Sequence, residues 1–367
     1  MKRPPTAARP RRLRWALGIV AAGVVLSVSC TNVGYYSQSL WGGAKVLAKR
    51  RPVERMIADP ETSPELRETL ELALEMRRFA VTDLLLPDNE SYRKYASLDR
   101  EYAMWNVVAA EELSIEPETW CFLIAGCVAY RGYFNPRRAD RFAESMRSRG
   151  YDVDVGGVAA YSTVGWFADP LLSTFIERPE AHLAGLIFHE LAHQKVFIKD
   201  DTTFNESFAM AMEEHGALRW LESRGLHDRI ESYRLVKRWG REFADLIAGY
   251  RQQLADVYAA EASDAWKRQR KAEILDALRA EYQEMKSGWG DYAGFDGWFG
   301  RELNNARLAL IGVYHELVPA FHAMLEAHGG RLEPFYAEVT EIAALEFEER
   351  RRRLARYLEP VGPEAGS

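Results

Sequence analysis

The sequence lacks a long hydrophobic run, has few cysteines and carries no excess of positive charge. Its best candidate for a membrane-spanning helix, residues 15–28, is shorter than the about 20 apolar residues that such a helix needs. The 367 residues include 3 cysteines, and the formal net charge is −6. This acidic balance excludes a general attraction to nucleic acid, and the basic run 350–353 lies beside glutamates on a helix predicted to be solvated. With 47% hydrophobic and 28% charged residues, the composition is that of a globular protein.

The amino end is predicted to be an export signal. Basic residues precede the apolar run 15–28, which is followed by Ser29 and Cys30. A cysteine directly after a small residue is similar to a bacterial lipobox, in which Cys30 would be acylated and become the first mature residue. Leu26 lies one place further from the cysteine than the usual leucine, so an uncleaved anchor is the alternative. Both interpretations place the chain outside the cytoplasm, on the periplasmic face of a bacterial membrane and tethered by its amino end.

The other two cysteines lie in the apolar run 120–130, which has strand character. A strand of six residues spans about 20 Å, which is farther than one disulfide reaches unless Gly126 makes a sharp turn. We therefore expect Cys121 and Cys127 to be two buried free thiols.

The segment 189–193, His-Glu-Leu-Ala-His, carries the strongest chemical signal in the chain. Apolar residues around it repeat at helical spacing, and residues four apart on a helix share one face. His189 and His193 can therefore bind one cation while Glu190 reaches a water on that cation. This pattern predicts a zinc site. The alternative is that both histidines are ordinary helix residues.

A catalytic zinc ion usually has three protein ligands and one open position, so a further ligand is needed. The polar run 199–203 breaks the helical pattern, and a second apolar periodicity begins at Phe204. A helix, a turn and a returning helix would bring Glu206 opposite the histidines. The competing interpretation is structural, because Thr203-x-x-Glu206 also fits a capping box at a helix start.

This arrangement resembles the bacterial predicted aminopeptidases of the gluzincin type, which pair a His-Glu-x-x-His helix with a glutamate on the next helix. The matching segments are 188–194 and 204–209, then 130–134, 161–167 with Asp169-Pro170, and 304–308. The glutamate of the larger gluzincin aminopeptidases lies further downstream, so Glu206 is assigned through its Asn-Glu-x-Phe-Ala setting. Met210 stands where some gluzincins place an acidic residue behind the metal ligand.

The resemblance implies zinc-dependent cleavage of peptides from the amino end, with one Zn²⁺ ion on His189, His193 and Glu206. Glu190 would take a proton from the zinc-activated water and pass it to the leaving amine. A zinc endopeptidase of the cell envelope and a non-catalytic binding lipoprotein are the alternatives. The intact Glu190 argues against the last of these, because a binding protein needs no base there.

Contacts with the peptide substrate are assigned from the same resemblance. Tyr314 is the first choice for the donor that stabilises the developing oxyanion, with Tyr161 second. Tyr161 also begins a segment that could pair with the substrate backbone. A free ammonium calls for a carboxylate, for which Asp169 and Glu213 are candidates, and Asn304 is a further expected contact.

The periodicities predict an α+β fold that is mainly α-helical, with a small β-sheet and a long helical hairpin. The resemblance implies that its core is a gluzincin-like zinc-peptidase core. Residues 62–115 are predicted to be helical and 118–168 to hold the sheet. The glycine- and aromatic-rich segment 287–300 either anchors itself to the core or forms a rim of the cleft. The expected order is 1–29 signal peptide, 30–60 tether, 61–227 catalytic core, 228–286 hairpin, 287–358 C-terminal helical part completing the cleft, and 359–367 tail.

Overall fold

The computed structural model describes residues 34–122, 126–160, 168–290, 292–309, 311 and 316–358. In these ranges the protein is mainly α-helical with small sheets, which agrees with the predicted α+β class. The chain divides into a unit that ends at Ala48 and a unit Lys49–Ser367. Residues 34–48 of the first unit form helix α1. No helix in the described ranges is both long enough and apolar enough to cross a membrane.

The second unit contains all the other helices and strands. Its helices are α2 (Val53–Ala58), α3 (Pro64–Thr82), α4 (Pro136–Arg147), α5 (Glu180–Lys195), α6 (Thr202–Ser223), α7 (His227–Ala259), α8 (Asp264–Ser287), α9 (Asp296–Phe299), α10 (Asn305–Ala309), α11 (Val318–Ala327), α12 (Leu332–Ala343) and α13 (Phe347–Ala355). Its strands are β1 (Arg51–Pro52), β2 (Lys94–Ala96), β3 (Met104–Glu111), β4 (Trp120–Phe122), β5 (Gly126–Val128), β6 (Arg131–Tyr133), β7 (Tyr151–Val158) and β8 (Leu171–Leu172).

Helices α3 and α4 begin at a proline that follows a capping side chain. Ser63 Oγ accepts a hydrogen bond from the backbone N–H of Leu66 at 3.3 Å, at the start of α3. Asn135 Oδ1 accepts one from the N–H of Arg137 at 3.0 Å, at the start of α4. Proline is favoured at the first helical position because its missing N–H would have no partner there. The starts of α3 and α4 are therefore marked by local sequence signals.

Strand β3 is the centre of a three-stranded antiparallel sheet in the order β6-β3-β7. The prediction that residues 62–115 are helical is therefore wrong beyond α3. β3 runs opposite all of β7, from Met104 against Val158 to Glu111 against Tyr151. Its four buried residues, 107–110, are two valines followed by two alanines. Pairing with β7 at all four residues, and with β6 at Val107, fixes them as a strand although alanine favours a helix.

Helices α7 and α8 form the predicted long antiparallel hairpin. Contacts between them run in opposite chain directions: Lys267 Nζ donates to the carbonyl of Tyr258 at 2.7 Å, and Tyr250 donates to Glu281 at 2.6 Å. Beyond the end of α8, Trp289 Nε1 donates to Glu242 at 2.8 Å. The apolar seam between the helices is buried, and Leu254, Leu278 and Tyr282 are fully enclosed.

The aromatic residues of the segment 287–300 pack onto this hairpin. Phe295 stacks on Phe243 with ring centroids 4.2 Å apart, and Phe299 stacks on Tyr282 at 3.8 Å. Trp289 and Phe299 are each only 4% exposed. These contacts favour the anchoring interpretation of the segment over a rim of the substrate cleft.

Cys121 and Cys127 form a disulfide, so the prediction of two buried free thiols is wrong. The run 120–130 is not one continuous strand. Its ends are the short antiparallel strands β4 and β5, in which the two cysteines pair directly and are both exposed. Gly126 adopts φ +74°, a backbone conformation that favours glycine. Because β4 and β5 are antiparallel, the two cysteines lie within reach of one disulfide.

Removing this disulfide is expected to lower the free energy of unfolding by about 2 kcal/mol. The bond joins cysteines 6 positions apart, and closing so short a loop in the unfolded chain costs about that much entropy at 25 °C. Urea denaturation of the wild type and of Cys121→Ser/Cys127→Ser measures the difference. Wild type with added reductant is the control and should match the double variant. Identical denaturation midpoints for the oxidised and reduced wild type would contradict the expectation.

Candidate metal centre

Helices α5 and α6 form an antiparallel pair that carries all three predicted metal ligands. α6 begins at Thr202 and is capped by Asp201, whose Oδ1 accepts from the N–H of Phe204 at 3.1 Å. The other oxygen of Asp201 accepts from Arg350 Nε at 2.8 Å in a buried pair. The capping-box interpretation is therefore wrong, because the cap is Asp201 and not Thr203. Glu206 lies inside the helix.

The turn between the two helices is closed by Asn205, the residue directly before Glu206. Its Oδ1 accepts from the backbone N–H of Ile198 at 2.8 Å, and its Nδ2 donates to the carbonyl of the same residue at 2.7 Å. The side chain is 3% exposed. A buried bidentate contact of this kind fixes where α6 starts relative to the end of α5. Asn205 thereby fixes the position of Glu206 relative to α5.

The ligand atoms of His189, His193 and Glu206 form a small triangle. The two Nε2 atoms are 3.2 Å apart, and Glu206 Oε2 lies 3.5 Å from Nε2 of His189 and 3.7 Å from Nε2 of His193. Zinc bonds of about 2.0–2.1 Å in tetrahedral geometry place neighbouring ligand atoms about 3.3–3.4 Å apart. The triangle therefore has the dimensions of one face of a zinc coordination tetrahedron. It is the one such group of histidine, cysteine and acidic side chains within the described ranges.

The electrostatics of this triangle favour a positive charge at its centre. Burial disfavours the imidazolium form of His189, but the hydrogen bonds and charges of Glu206 and Glu213 outweigh burial and raise its pKa to about 10. Burial likewise opposes the charge of Glu206, yet the two histidines hold the pKa of this carboxyl well below its usual range. A bound divalent cation would replace the proton that the histidine otherwise holds.

Glu213 lies behind His189, on the side away from the triangle. Its Oε2 is 3.1 Å from Nδ1 of His189, and its Oε1 accepts from Lys237 Nζ at 2.6 Å. Burial opposes its charge, but Lys237 and His189 together hold the pKa of Glu213 well below the usual range. The glutamate passes close to Gly185, where a Cβ would be 2.9 Å from its Cγ. Its predicted role as the ammonium site is unsupported, because both oxygens are already engaged.

Sequence reasoning missed Lys237, and it named Glu213 only as a candidate for the ammonium site and not as the partner of His189. The expected position for an acidic partner was 210, four residues after Glu206. Helices α5 and α6 are antiparallel, however. A residue that precedes His193 on α5, such as His189, therefore faces a residue that follows Glu206 on α6. The partner of His189 therefore lies seven residues after Glu206. Lys237 comes from the distant helix α7, and no local signal marks it.

Glu190 and Asp169 both lie within electrostatic range of one buried tyrosine, Tyr92. Burial raises the pKa of the Tyr92 hydroxyl well above its usual value, and the charges of Glu190 and Asp169 raise it further. The backbone N–H of Tyr92 also donates to the carbonyl of Asp169 at 2.7 Å. Tyr92 has φ 62°, which is uncommon for a residue with a side chain. The charges of Asp169 and Glu190 thus act on the same buried hydroxyl.

The remaining predicted contacts fall elsewhere. Asn304 is buried, with its amide donating to the carbonyl of Val153 at 3.3 Å and its oxygen accepting from the N–H of Arg307 at 3.0 Å. These bonds give it a structural role at the start of α10, and its contact with substrate stays a prediction. Tyr161, Tyr314 and Cys30 lie outside the described residues.

A family model described as "Putative aminopeptidase" matches residues 34–354. This range contains α5, α6 and α7, and with them every residue of the metal centre described above. No match was found among curated proteins or among solved structures.

Proposed function

We propose, because this chain belongs to the family described as "Putative aminopeptidase", that it is a zinc-dependent metallopeptidase of the gluzincin type. It would remove residues from the amino end of peptides. The observation that carries the proposal is the triangle of His189, His193 and Glu206 beside Glu190. Two imidazole nitrogens and one carboxylate oxygen are a donor set of catalytic zinc sites. Such a site leaves one coordination position open for the reaction.

The chemistry divides between the metal and the side chains around it. A zinc ion bound at the triangle supplies Lewis-acid activation of the attacking water and of the peptide carbonyl. Glu190, next to His189 on α5, accepts a proton from that water and delivers it to the departing amine. Glu213 accepts a hydrogen bond from Nδ1–H of His189, which leaves Nε2 as the nitrogen available to bind the metal.

Recognition of the amino end requires a carboxylate, and Asp169 is the proposed one. Its charge and that of Glu190 both act on the hydroxyl of Tyr92, whose backbone N–H donates to the carbonyl of Asp169. The oxyanion donor is proposed to be Tyr314, with Tyr161 as the second choice. Glu213 is no longer a candidate for the ammonium, because it is committed to His189 and Lys237.

We also propose that the protein acts outside the cytoplasm, held at the periplasmic face of a membrane by a lipid on Cys30 or by an uncleaved anchor. The exposed Cys121–Cys127 disulfide supports this location, because such bonds persist in oxidising compartments and are rare in the cytosol.

Peptides with free and acetylated amino ends test the proposal. We expect the purified, zinc-loaded protein to release residues one at a time from the amino end of free peptides. Acetylation should lower kcat/KM at least about 100-fold, because a site built to bind a charged group rejects an analogue that lacks it. Equal cleavage of both kinds would make the protein an endopeptidase. Stoichiometric zinc without cleavage of any peptide in a broad library would make it a binding protein.

A further inference from the structure

Lys237 extends the metal centre into the helical hairpin. It lies on α7, and its side chain is 17% exposed while that of Glu213 is 22% exposed. The ion pair between Nζ and Oε1 is 2.6 Å long, and the second oxygen of Glu213 is 3.1 Å from Nδ1 of His189. An unbroken line of contacts therefore joins α7 to a metal ligand through one carboxylate.

The position of Glu213 depends on both of its partners. A carboxylate enclosed in this way is costly unless each oxygen has a donor. His189 provides one donor and Lys237 the other, so removal of the lysine would leave one oxygen without its cation. The glutamate would then gain from turning towards solvent or towards another donor. Either movement breaks the bond to Nδ1 that orients the imidazole ring.

The ion pair of Lys237 differs from two other ion pairs of the hairpin because its acidic partner, Glu213, also contacts His189. Arg241, one turn further along α7, pairs with Glu214 of α6 at 3.3 Å, but neither residue contacts a metal ligand. Lys271 of α8 pairs with Asp152 of β7 at 2.6 Å and is equally buried, at 12% and 16% exposure. These two pairs tie the hairpin to the rest of the protein without reaching the metal centre.

We infer that Lys237 is a positioning residue of the metal centre: it holds Glu213 in line with His189 Nδ1, so that the hairpin contributes a charge to metal binding as well as a packing surface. The inference rests on the proposed function, since it assumes that the triangle binds zinc. Helix α7 would then contribute to the metal centre, whereas its sequence pattern predicts only an apolar seam.

Zinc affinity measured by competition with a chromophoric chelator tests this inference without any peptidase assay. We expect Lys237→Met to weaken zinc binding about 10-fold, the lower end of the effect of losing a group that orients a ligand. The matched controls Lys271→Met and Arg241→Met should stay within about twofold of the wild type, because their pairs stop short of His189. Lys237→Arg should recover most of the lost affinity, since it restores the charge.

A double-mutant cycle separates positioning from a general loss of stability. In a Glu213→Gln background, Lys237→Met should cause no further loss of zinc affinity, because the group that it acts through is already neutral. With Co²⁺ in place of zinc, the visible absorption bands of Lys237→Met should shift while those of Lys271→Met match the wild type.

The possible failures are distinguishable. If the wild type binds zinc and Lys237→Met binds it equally well, the inference is wrong and the proposed function stands. Losses that add up in the double variant, or an arginine variant as weak as the methionine variant, would also overturn it. If the wild type does not bind zinc, the proposed function and the inference fail together.

Discussion

Glu190→Gln is expected to lower kcat by about 10²- to 10⁴-fold, the usual contribution of a general acid–base group, while the protein keeps about one zinc ion. Glutamine has the shape of glutamate but cannot accept a proton at neutral pH. The proposed metal ligands, at positions 189, 193 and 206, are unchanged by the substitution, and Glu190 is not part of that triangle. Steady-state kinetics on a free-amine peptide, with metal content measured on the same sample, gives both quantities.

The matched control for this variant is Glu222→Gln, because Glu222 is exposed on the neighbouring helix α6. It should keep the activity and the zinc content of the wild type. Loss of metal from Glu190→Gln would show that this carboxylate is a ligand and not a base. Activity within about twofold of the wild type would mean that another group moves the proton, and the mechanism proposed for Glu190 would be wrong.

The metal helices could be predicted in detail because several local signals agree there. The apolar residues around His189 and His193 repeat at helical spacing, and the polar run 199–203 marks the turn. The observed helices, Glu180–Lys195 and Thr202–Ser223, carry the histidine pair and Glu206 on either side of that turn. A short turn between two such helices leaves few ways to pack them, so the approach of Glu206 to the histidines followed from the same signals.

Strand β3 shows where local signals fail. Its buried residues Ala109 and Ala110 favour a helix on their own, and the preceding region does form helix α3. The strand exists because β6 and β7, which follow it in sequence, supply hydrogen-bond partners on both sides. Such pairing is a property of the whole fold, and a window of neighbouring residues does not contain it.

The side chains that orient the proposed metal ligands could not be predicted from the sequence for a related reason. Glu213 is on the same helix as Glu206, but its contact with His189 depends on the direction in which α6 packs on α5 and on the space left by Gly185. Lys237 reaches Glu213 from another helix, across 24 positions of sequence. Spacing within one helix can predict ligands, whereas the side chains that orient them come from tertiary packing.

Glu206→Ala is expected to weaken zinc binding by more than about 100-fold, the upper end of the losses seen when a group behind a ligand is removed. Glu206 supplies one of the three donor atoms, so its loss leaves the two imidazoles alone with any bound ion. It also removes the only carboxylate within 4 Å of both Nε2 atoms among the described residues. Peptidase activity should disappear with the metal.

The order of zinc affinities among three variants tests the role of Glu206 more strictly than the loss of affinity in one variant. Zinc affinity should fall most in Glu206→Ala, which removes a ligand atom, less in Glu213→Gln, which releases the orientation of His189, and least in Lys237→Met, which acts through Glu213. Glu222→Ala, on the exposed face of the same helix, should bind zinc like the wild type. Chelator competition on all four proteins measures the order. If Glu206→Ala binds zinc as tightly as Glu222→Ala, the carboxylate at 206 is not a ligand, and the assignment of this centre as a catalytic zinc site is wrong.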